Sequence, residues 1–279
     1  MCEWKIINGK CEEVLPTLKD NIIDLVITSP PYNVNLGDNK FNKNPYDLYN
    51  DNKEHRNYLN WLENIFKIIH TKLKVGGRCV INIGDGKNGA IPTHSDIIQL
   101  MTNKIGYLPI TTIVWDKKSI SNRTSWGSFA SPSQPSFPKP FEYILIFAKE
   151  NKKLQYQGET DLTNDEFIKW SYALWQFTPE TQLKKLKHPA PFPVELPYRL
   201  IKMLSWKNAI ILDPFNGIGT TGVACQQLNR NYIGIELSKQ YCEISEKRIK
   251  TMKEEDIFQP KIEKKTKKEN IQDIFKNDK

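Results

Sequence analysis

Asp213-Pro214-Phe215-Asn216-Gly217-Ile218-Gly219-Thr220-Thr221-Gly222 is the stretch that decides the fold. It follows Ala209-Ile210-Ile211-Leu212, which reads as a buried strand ending at Asp213, and it opens a helical pattern from Thr220 to Leu228. Between a strand and a helix, glycines let the backbone turn sharply and approach a ligand closely. Tyr232-Ile233-Gly234-Ile235-Glu236 reads as the next strand, and it places Glu236 about 20 residues on, where an acid can bind ribose hydroxyls. Gly217, Gly219 and Gly222 also satisfy the dinucleotide fingerprint, so NAD binding competes, as does a plain tight turn after a buried strand. Two features weigh against NAD. Asp213 suits a cationic ligand better than a pyrophosphate, and only one more strand and helix follow, so the sheet must be completed by N-terminal strands.

Working outward, the same alternation recurs. Ile22 to Thr28 reads as a buried strand ending at a proline pair. From Glu54 to Leu73, Tyr58, Leu62, Ile65, Phe66, Ile69 and Leu73 fall at spacings of three and four, an amphipathic helix expected to stop at Gly76-Gly77. Arg78 to Ile83 reads as a strand, Ser95 to Asn103 as a helix, Ile110 to Trp115 and Phe141 to Phe147 as strands, and Ser238 to Met252 as a helix. Strands alternating with helices predict an α/β fold with a mostly parallel sheet covered by helices on both faces. Three stretches resist this pattern: residues 33–53, 117–140 and 149–187, the last with one helical piece at Asp165 to Trp175. Long irregular insertions in a compact α/β protein are usually functional.

Ser29-Pro30-Pro31-Tyr32 sits at the end of the 22–28 strand, on the edge where α/β ligand sites gather. Two prolines remove two backbone donors and stiffen the chain, leaving carbonyls free to accept. Such a turn can offer a side-chain oxygen and a carbonyl to the two hydrogens of an exocyclic amine. Accepting both would pull the nitrogen toward tetrahedral geometry and expose its lone pair to an incoming methyl group. A base inside a duplex cannot reach this turn; it must be flipped out, and Tyr32 would replace the lost stacking. Read alone, the turn could be a proline-stiffened loop with an incidental tyrosine; beside the glycine loop, that reading recedes.

Together the two motifs resemble the amino-methyltransferase family of DNA-modifying enzymes, over the chain from about Trp4 to Lys250. The catalytic turn precedes the cofactor loop, the circularly permuted order of the family's β-type members. The resemblance implies a Rossmann-like class I methyltransferase that uses S-adenosylmethionine, with Ser29, Pro30, Pro31 and Tyr32 as the catalytic set. It places Asp213, Phe215, Gly217 and Gly219 around the methionine part of the cofactor and Glu236 at its ribose, with Thr220 also expected to bind the cofactor. His188-Pro189-Ala190-Pro191-Phe192 resembles the His-Pro segment before the cofactor loop, but Ala190, Pro191 and Phe192 stand where the commoner form carries Thr, Gln or Glu, and Lys. Asn8-Gly9-Lys10-Cys11 resembles the Gly-Asp-Cys segment with Lys10 in place of Asp, which leaves adenine recognition to backbone groups near Cys11. In this family Ser-Pro-Pro-Tyr usually accompanies N4-cytosine methylation and Asp-Pro-Pro-Tyr N6-adenine methylation. Ser29 therefore favours cytosine N4, with adenine N6 as the alternative. None of the cysteines follows a proline, which argues against C5-cytosine chemistry and for direct in-line transfer without a covalent intermediate.

The remaining features bear on partners. A formal charge of +8 fits a polyanion, and double-stranded DNA is the expected substrate. Lys117, Lys118, Arg123, Trp126 and Lys139 interleave cations with aromatics such as Phe129 and Phe137, a composition suited to phosphate contact and base stacking. The same rings could equally pack the loop onto the body. The division expected is a catalytic half over 1–148, a candidate target-recognition insertion over 149–187, a cofactor half over 188–253 and a charged tail over 254–279. Trp170 and Trp175, five residues apart, fit neither helical neighbour position well. The five cysteines, Cys2, Cys11, Cys79, Cys225 and Cys242, are scattered singly, which argues against disulfides and a zinc site and for a reducing, cytoplasmic setting. No apolar run approaches the ~20 residues of a membrane span, and no secretory signal is visible at the N-terminus. A cognate restriction endonuclease acting on the same site is a further partner the resemblance suggests, while monomer or dimer stays open. RNA or protein amine methylation, and a DNA-binding relative with a decayed site, are the competing functions; the intact Ser29, Tyr32, Gly217, Gly219 and Glu236 speak against decay.

Overall fold

The computed structural model describes residues 2–33, 53–86, 89–118, 127–179, 192–252 and 257–260. Eight strands form one sheet in the order β1-β8-β7-β2-β3-β5-β4-β6. They are β1 (Trp4–Asn8), β2 (Ile23–Thr28), β3 (Leu73–Ile83), β4 (Leu108–Asp116), β5 (Phe141–Ala148), β6 (Leu174–Gln176), β7 (Ile210–Asp213) and β8 (Asn231–Glu236). The first five in that order are mutually parallel; β5 runs antiparallel to both β3 and β4, and β6 lies parallel to β4. This is the mostly parallel α/β architecture expected.

The central strands carry uninterrupted apolar runs, such as Leu25-Val26-Ile27 and Ile144-Leu145-Ile146-Phe147, because both faces are covered, and successive side chains serve opposite cores. Leu25 and Ile27 of β2 join Val80, Ile144, Ile146 and Ile211 in one cluster, with helices α5 (Glu195–Leu204) and α6 (Thr220–Gln227) and Ile249 of α7 (Lys239–Thr251). Val26 joins Cys79, Ile81, Leu145, Phe147 and Leu212 in the other, with Tyr58, Leu62, Ile65, Phe66 and Ile69 of α2 (His55–Lys72). The latter five are the apolar stripe whose spacing predicts that helix.

The structure corrects several element boundaries. Helix α2 stops at Lys72, not at the glycine pair: Gly76-Gly77 lies inside β3, where pairing with β2 jumps from Ile23–Leu73 to Leu25–Arg78. Gly76 has φ +77°, and a β-carbon there would lie 2.4 Å from the Lys153 carbonyl oxygen, so the glycine serves a bulge and a close crossing. The helix expected from Ser95 begins at Thr93 and runs to Gln99 (α3), then continues as a π turn over Leu100–Ile105. The helix expected over Asp165 to Trp175 ends at Trp170 (α4, Asn164–Trp170), after a capping box between Thr163 and Glu166. Trp175 stands instead on edge strand β6, where it is buried. Elements β1 and α5, and the short helix α1 (Cys11–Val14), are additions to the elements expected from the sequence.

Candidate active site

Parallel strands end together, so β2, β7 and β8 deliver their last residues to one edge. Thr28, the last residue of β2, donates from Oγ1 to Asp213 Oδ1 (2.8 Å), the last residue of β7. Asp213 also accepts from Thr221 Oγ1 (2.9 Å) and from the Phe215 backbone N–H (3.1 Å). The catalytic turn and the glycine loop are thus joined through one buried carboxylate. No Lys or Arg pairs with it among the described residues, and burial pushes its carboxyl up to about 6 despite the hydrogen bonds that favour the ionised form.

The loop after β7 is built for close approach. Gly219 takes φ +80°, and a β-carbon there would lie 2.6 Å from Ser245 Cβ, so only glycine fits between the loop and α7. Asn216 fixes the loop to β8: its N–H donates to Ile235 O (2.9 Å), and its Oδ1 accepts from the Tyr232 hydroxyl (2.8 Å). Glu236 ends β8 and accepts from the N–H groups of Gly217 (2.7 Å) and Ser238 (2.8 Å); burial raises its carboxyl to about 7. Asn8 pairs with Glu236 in the register of β1 and β8, so the following Lys10-Cys11 segment arrives beside the same edge. Near Cys11, Trp61 packs at a tilt against Phe215 (5.5 Å between centroids) and donates from its indole N–H to Glu12. Cys11, Asp213, Phe215, Gly217, Gly219 and Glu236 therefore come together as expected. Thr220 follows Gly219 at the start of α6, where its hydroxyl oxygen lies 3.3 Å from Arg248 Nη1 and accepts from that guanidinium. His188 and Pro189 lie outside the described residues.

The acceptor side is denser than the motif alone implies. Ser29 Oγ donates either to Tyr32 Oη (3.0 Å) or to the Asn82 carbonyl (3.1 Å). Tyr32 donates its hydroxyl proton to Glu142 Oε2 (2.9 Å) and accepts from Asn82 Nδ2 (2.8 Å). Asn82 also donates to Glu142 Oε2 (2.7 Å), and the other carboxylate oxygen of Glu142 is paired with Lys117. The tyrosine ring is held at its hydroxyl by partners from the turn, β3 and β5. Asn82 and Glu142 are not among the site residues expected from the sequence. Glu142, an acid in an otherwise apolar strand, is the available signal.

Of the residues expected to face DNA, Lys117 reaches Glu142, and Lys139 is paired with buried Asp85 (2.9 Å), which also holds His94 (2.7 Å). Lys118 is exposed. Arg123 and Trp126 lie outside the described residues.

A mostly parallel sheet that brings an acid-tipped glycine loop against a Ser-Pro-Pro-Tyr turn defines a class I methyltransferase with an amine acceptor. Comparison with known proteins narrows this: residues 23–247 match the N6/N4 DNA methylase family, and the chain belongs to it. The Type II methyltransferase M.MjaI of Methanocaldococcus jannaschii is 32% identical, across 88% of this chain and 90% of its own length. M.MjaVI of the same organism, also a Type II methyltransferase, is 38% identical over 64% of this chain and 91% of its own length. Among solved structures, the DNA modification methylase TTHA0409 from Thermus thermophilus superposes with a TM-score of 0.66 at 27% identity, covering 89% of this chain and 94% of that one. The cytosine-N4-specific PvuII DNA methyltransferase gives a TM-score of 0.69 at 22% identity over 89% and 86% of the two chains, a likeness of fold.

Proposed function

We propose that this protein transfers a methyl group from S-adenosylmethionine to the N4 amine of a cytosine flipped out of double-stranded DNA. The observation that carries this reading is the Thr28–Asp213 hydrogen bond, which couples a serine-headed acceptor turn to a glycine loop whose buried acid lacks a cationic partner among the described residues. S-adenosylmethionine, when bound, supplies an electrophilic methyl group on a positively charged sulfur. The residues of the loop fit that group: Asp213 supplies negative charge in a desolvated place, Glu236 an acceptor for ribose hydroxyls, and Phe215 and Trp61 an apolar wall. TTHA0409 has been solved with S-adenosyl-L-methionine bound, which supports the same choice of donor.

On the acceptor side, Ser29 Oγ and a carbonyl of the proline pair accept the two amine hydrogens. That withdraws the nitrogen lone pair from the ring and aims it at the methyl group. Tyr32 stacks on the base, its plane fixed by Asn82 and Glu142, so the loss of neighbour stacking on flipping is offset inside the site. The turn itself holds no cysteine, so transfer proceeds in line, the amine proton leaving to a solvent-connected acceptor.

Cytosine over adenine rests on Ser29 at the head of the turn. Digesting DNA methylated by the protein to nucleosides and identifying the modified one tests this: N4-methylcytosine is expected, and N6-methyladenine alone would overturn it. Residues 149–187 supply target recognition in this reading. Their described part is anchored by buried Trp170 and Trp175, by the Glu166–Lys202 pair and by the Asp161–Arg230 pair, and it presents exposed Phe167 and Tyr172. The Type II designation of its relatives supports a paired restriction endonuclease. All five cysteines are free thiols, which supports a reducing, cytoplasmic site of action. No helix among the described residues is long and apolar enough to cross a membrane.

A further inference from the structure

Phe137 is 77% exposed, and it stands in Pro135-Ser136-Phe137-Pro138-Lys139-Pro140, on the connection between β4 and β5. Single exposed apolar residues are ordinary on protein surfaces and call for no special account. The mounting of this one is different. Prolines at 135, 138 and 140 fix three φ angles in six residues, so the segment has little freedom to fold its ring away. On one side Pro135 bridges to Gly127, and Ser128 N–H donates to Gln134 O (3.0 Å). On the other, Lys139 is tied to Asp85, whose carboxylate is only 1% exposed, and Lys117 N–H donates to Pro140 O (2.9 Å). A proline-stiffened stem, closed on its own loop at one end and tied to the body at the other, thus carries an exposed phenyl ring.

Its location ties it to the acceptor site. Five residues after Phe137 comes Glu142, which accepts the Tyr32 hydroxyl, and five residues of chain span at most about 17 Å. Asp85, which anchors the stem, follows Gly84, and a β-carbon on Gly84 would lie 3.5 Å from the Tyr32 ring. A base rotated into the turn leaves an unstacked gap in the duplex. Apolar side chains that enter the base stack are the known physical means of stabilising such a distortion.

We propose that Phe137 is a wedge that enters the duplex and fills the space vacated by the target base, a role that rests on the base-flipping reading given above. Lys139 beside it is pinned to the protein, so the ring, and not a phosphate contact, is the working group of this stem. Phe129, 74% exposed, lies farther along the chain from Glu142 than Phe137 does and is not assigned this role.

The test uses the full chain and its Phe137→Ala variant on two duplexes containing the mapped recognition site. In one the target base is paired normally; in the other it faces an abasic position, so little unpairing remains to be done. Because Phe137 makes little use of burial, circular dichroism and melting should match between variant and wild type. The wild type should be faster on the abasic duplex. Phe137→Ala should lose about 10- to 100-fold in kcat/KM on the paired duplex, as expected for an unpairing cost of a few kcal/mol. On the abasic duplex its loss should fall below about 3-fold, and Phe137→Trp should retain most activity on both. Equal losses on the two duplexes, or no loss on either, would overturn the wedge. A wild type indifferent to the abasic position would instead overturn the base-flipping reading, and the wedge with it.

Discussion

The two halves of this sheet solve different problems. The parallel half, β1-β8-β7-β2, holds the glycine loop and the catalytic turn through buried strand ends, and its polar groups are satisfied within one or two residues of the motifs. The antiparallel wing, β5-β4-β6, carries no motif residue, yet it supplies Glu142 to the tyrosine hydroxyl, with Lys117 on the other oxygen of that carboxylate, and bears Phe137 on its connecting stem. In the proposed reading the first half fixes the chemistry, and the second poises the acceptor ring and faces the substrate. Where a local motif lies on one half and its support on the other, only the folded sheet joins them.

The largest expected effect comes from breaking the parallel half at Asp213. Asp213→Ala orphans the hydroxyls of buried Thr28 and Thr221, each costing about 1–3 kcal/mol, and removes the charge proposed to act on the cofactor. Calorimetric titration should show S-adenosylmethionine binding reduced at least ~100-fold, or roughly 2.7 kcal/mol and more. Asp213→Asn, which keeps most hydrogen bonds, separates the two contributions: affinity lost with stability kept marks the charge as the binding element.

Next comes the wing. Glu142→Gln removes the charge paired with Lys117 and sets an amide donor either against Lys117 or against the Asn82 and Tyr32 donors, which loosens the ring of Tyr32. A displacement of even ~1 Å at a reacting centre can cost about 100-fold, so kcat should fall ~10- to 100-fold while cofactor affinity stays unchanged. In a Tyr32→Phe background the same change should cost far less, because Glu142 acts through the lost hydroxyl. Additive losses in that cycle would remove the wing from the acceptor site.

A subtler test uses pH. Both Asp213, raised to about 6, and Glu236, raised to about 7, hold protons in the folded state that the unfolded chain has already released. Stability of the cofactor-free protein should therefore fall as pH climbs from the ordinary carboxylate range through these values. Cofactor affinity should move the other way, strengthening over the same interval as the carboxylates ionise. Melting curves with and without S-adenosylmethionine across that range check both signs; stabilisation by the cofactor that stays flat would contradict them.

The smallest effect is expected at Lys10, which pairs with exposed Glu13 (3.4 Å). Lys10→Ala should change activity and cofactor affinity less than ~2-fold, within the usual range for an exposed ion pair.

Much of the parallel half is legible in the sequence, because a strand buried on both faces must be apolar without interruption, as in Leu25-Val26-Ile27 and Ile210-Ile211-Leu212. Amphipathic α2 is legible for the same reason, its stripe being set by the core it covers. Strand β1 is hard to see because Trp4-Lys5-Ile6-Ile7-Asn8 is short and lies at a partly exposed sheet edge. Helix α5 is hidden by Pro193 before it and Pro197 inside its first turn, where proline is tolerated. Trp175 reads as helical because its burial depends on pairing with β4, which local spacing does not report. In the site, the motif residues are legible and their supports are not. The Tyr32–Asn82–Glu142 network depends on antiparallel pairing of β3 with β5, which brings together residues separated by 50 to 110 positions.

The central claim is that Ser29–Tyr32 and the Asp213 loop form one site that methylates an amine. It is tested most directly by tritiated-methyl transfer from S-adenosylmethionine to unmethylated duplex DNA, comparing wild type with Tyr32→Ala. Transfer by the wild type and a fall of at least ~100-fold in the variant, with cofactor binding intact, is the result expected. Undiminished transfer by Tyr32→Ala would contradict it.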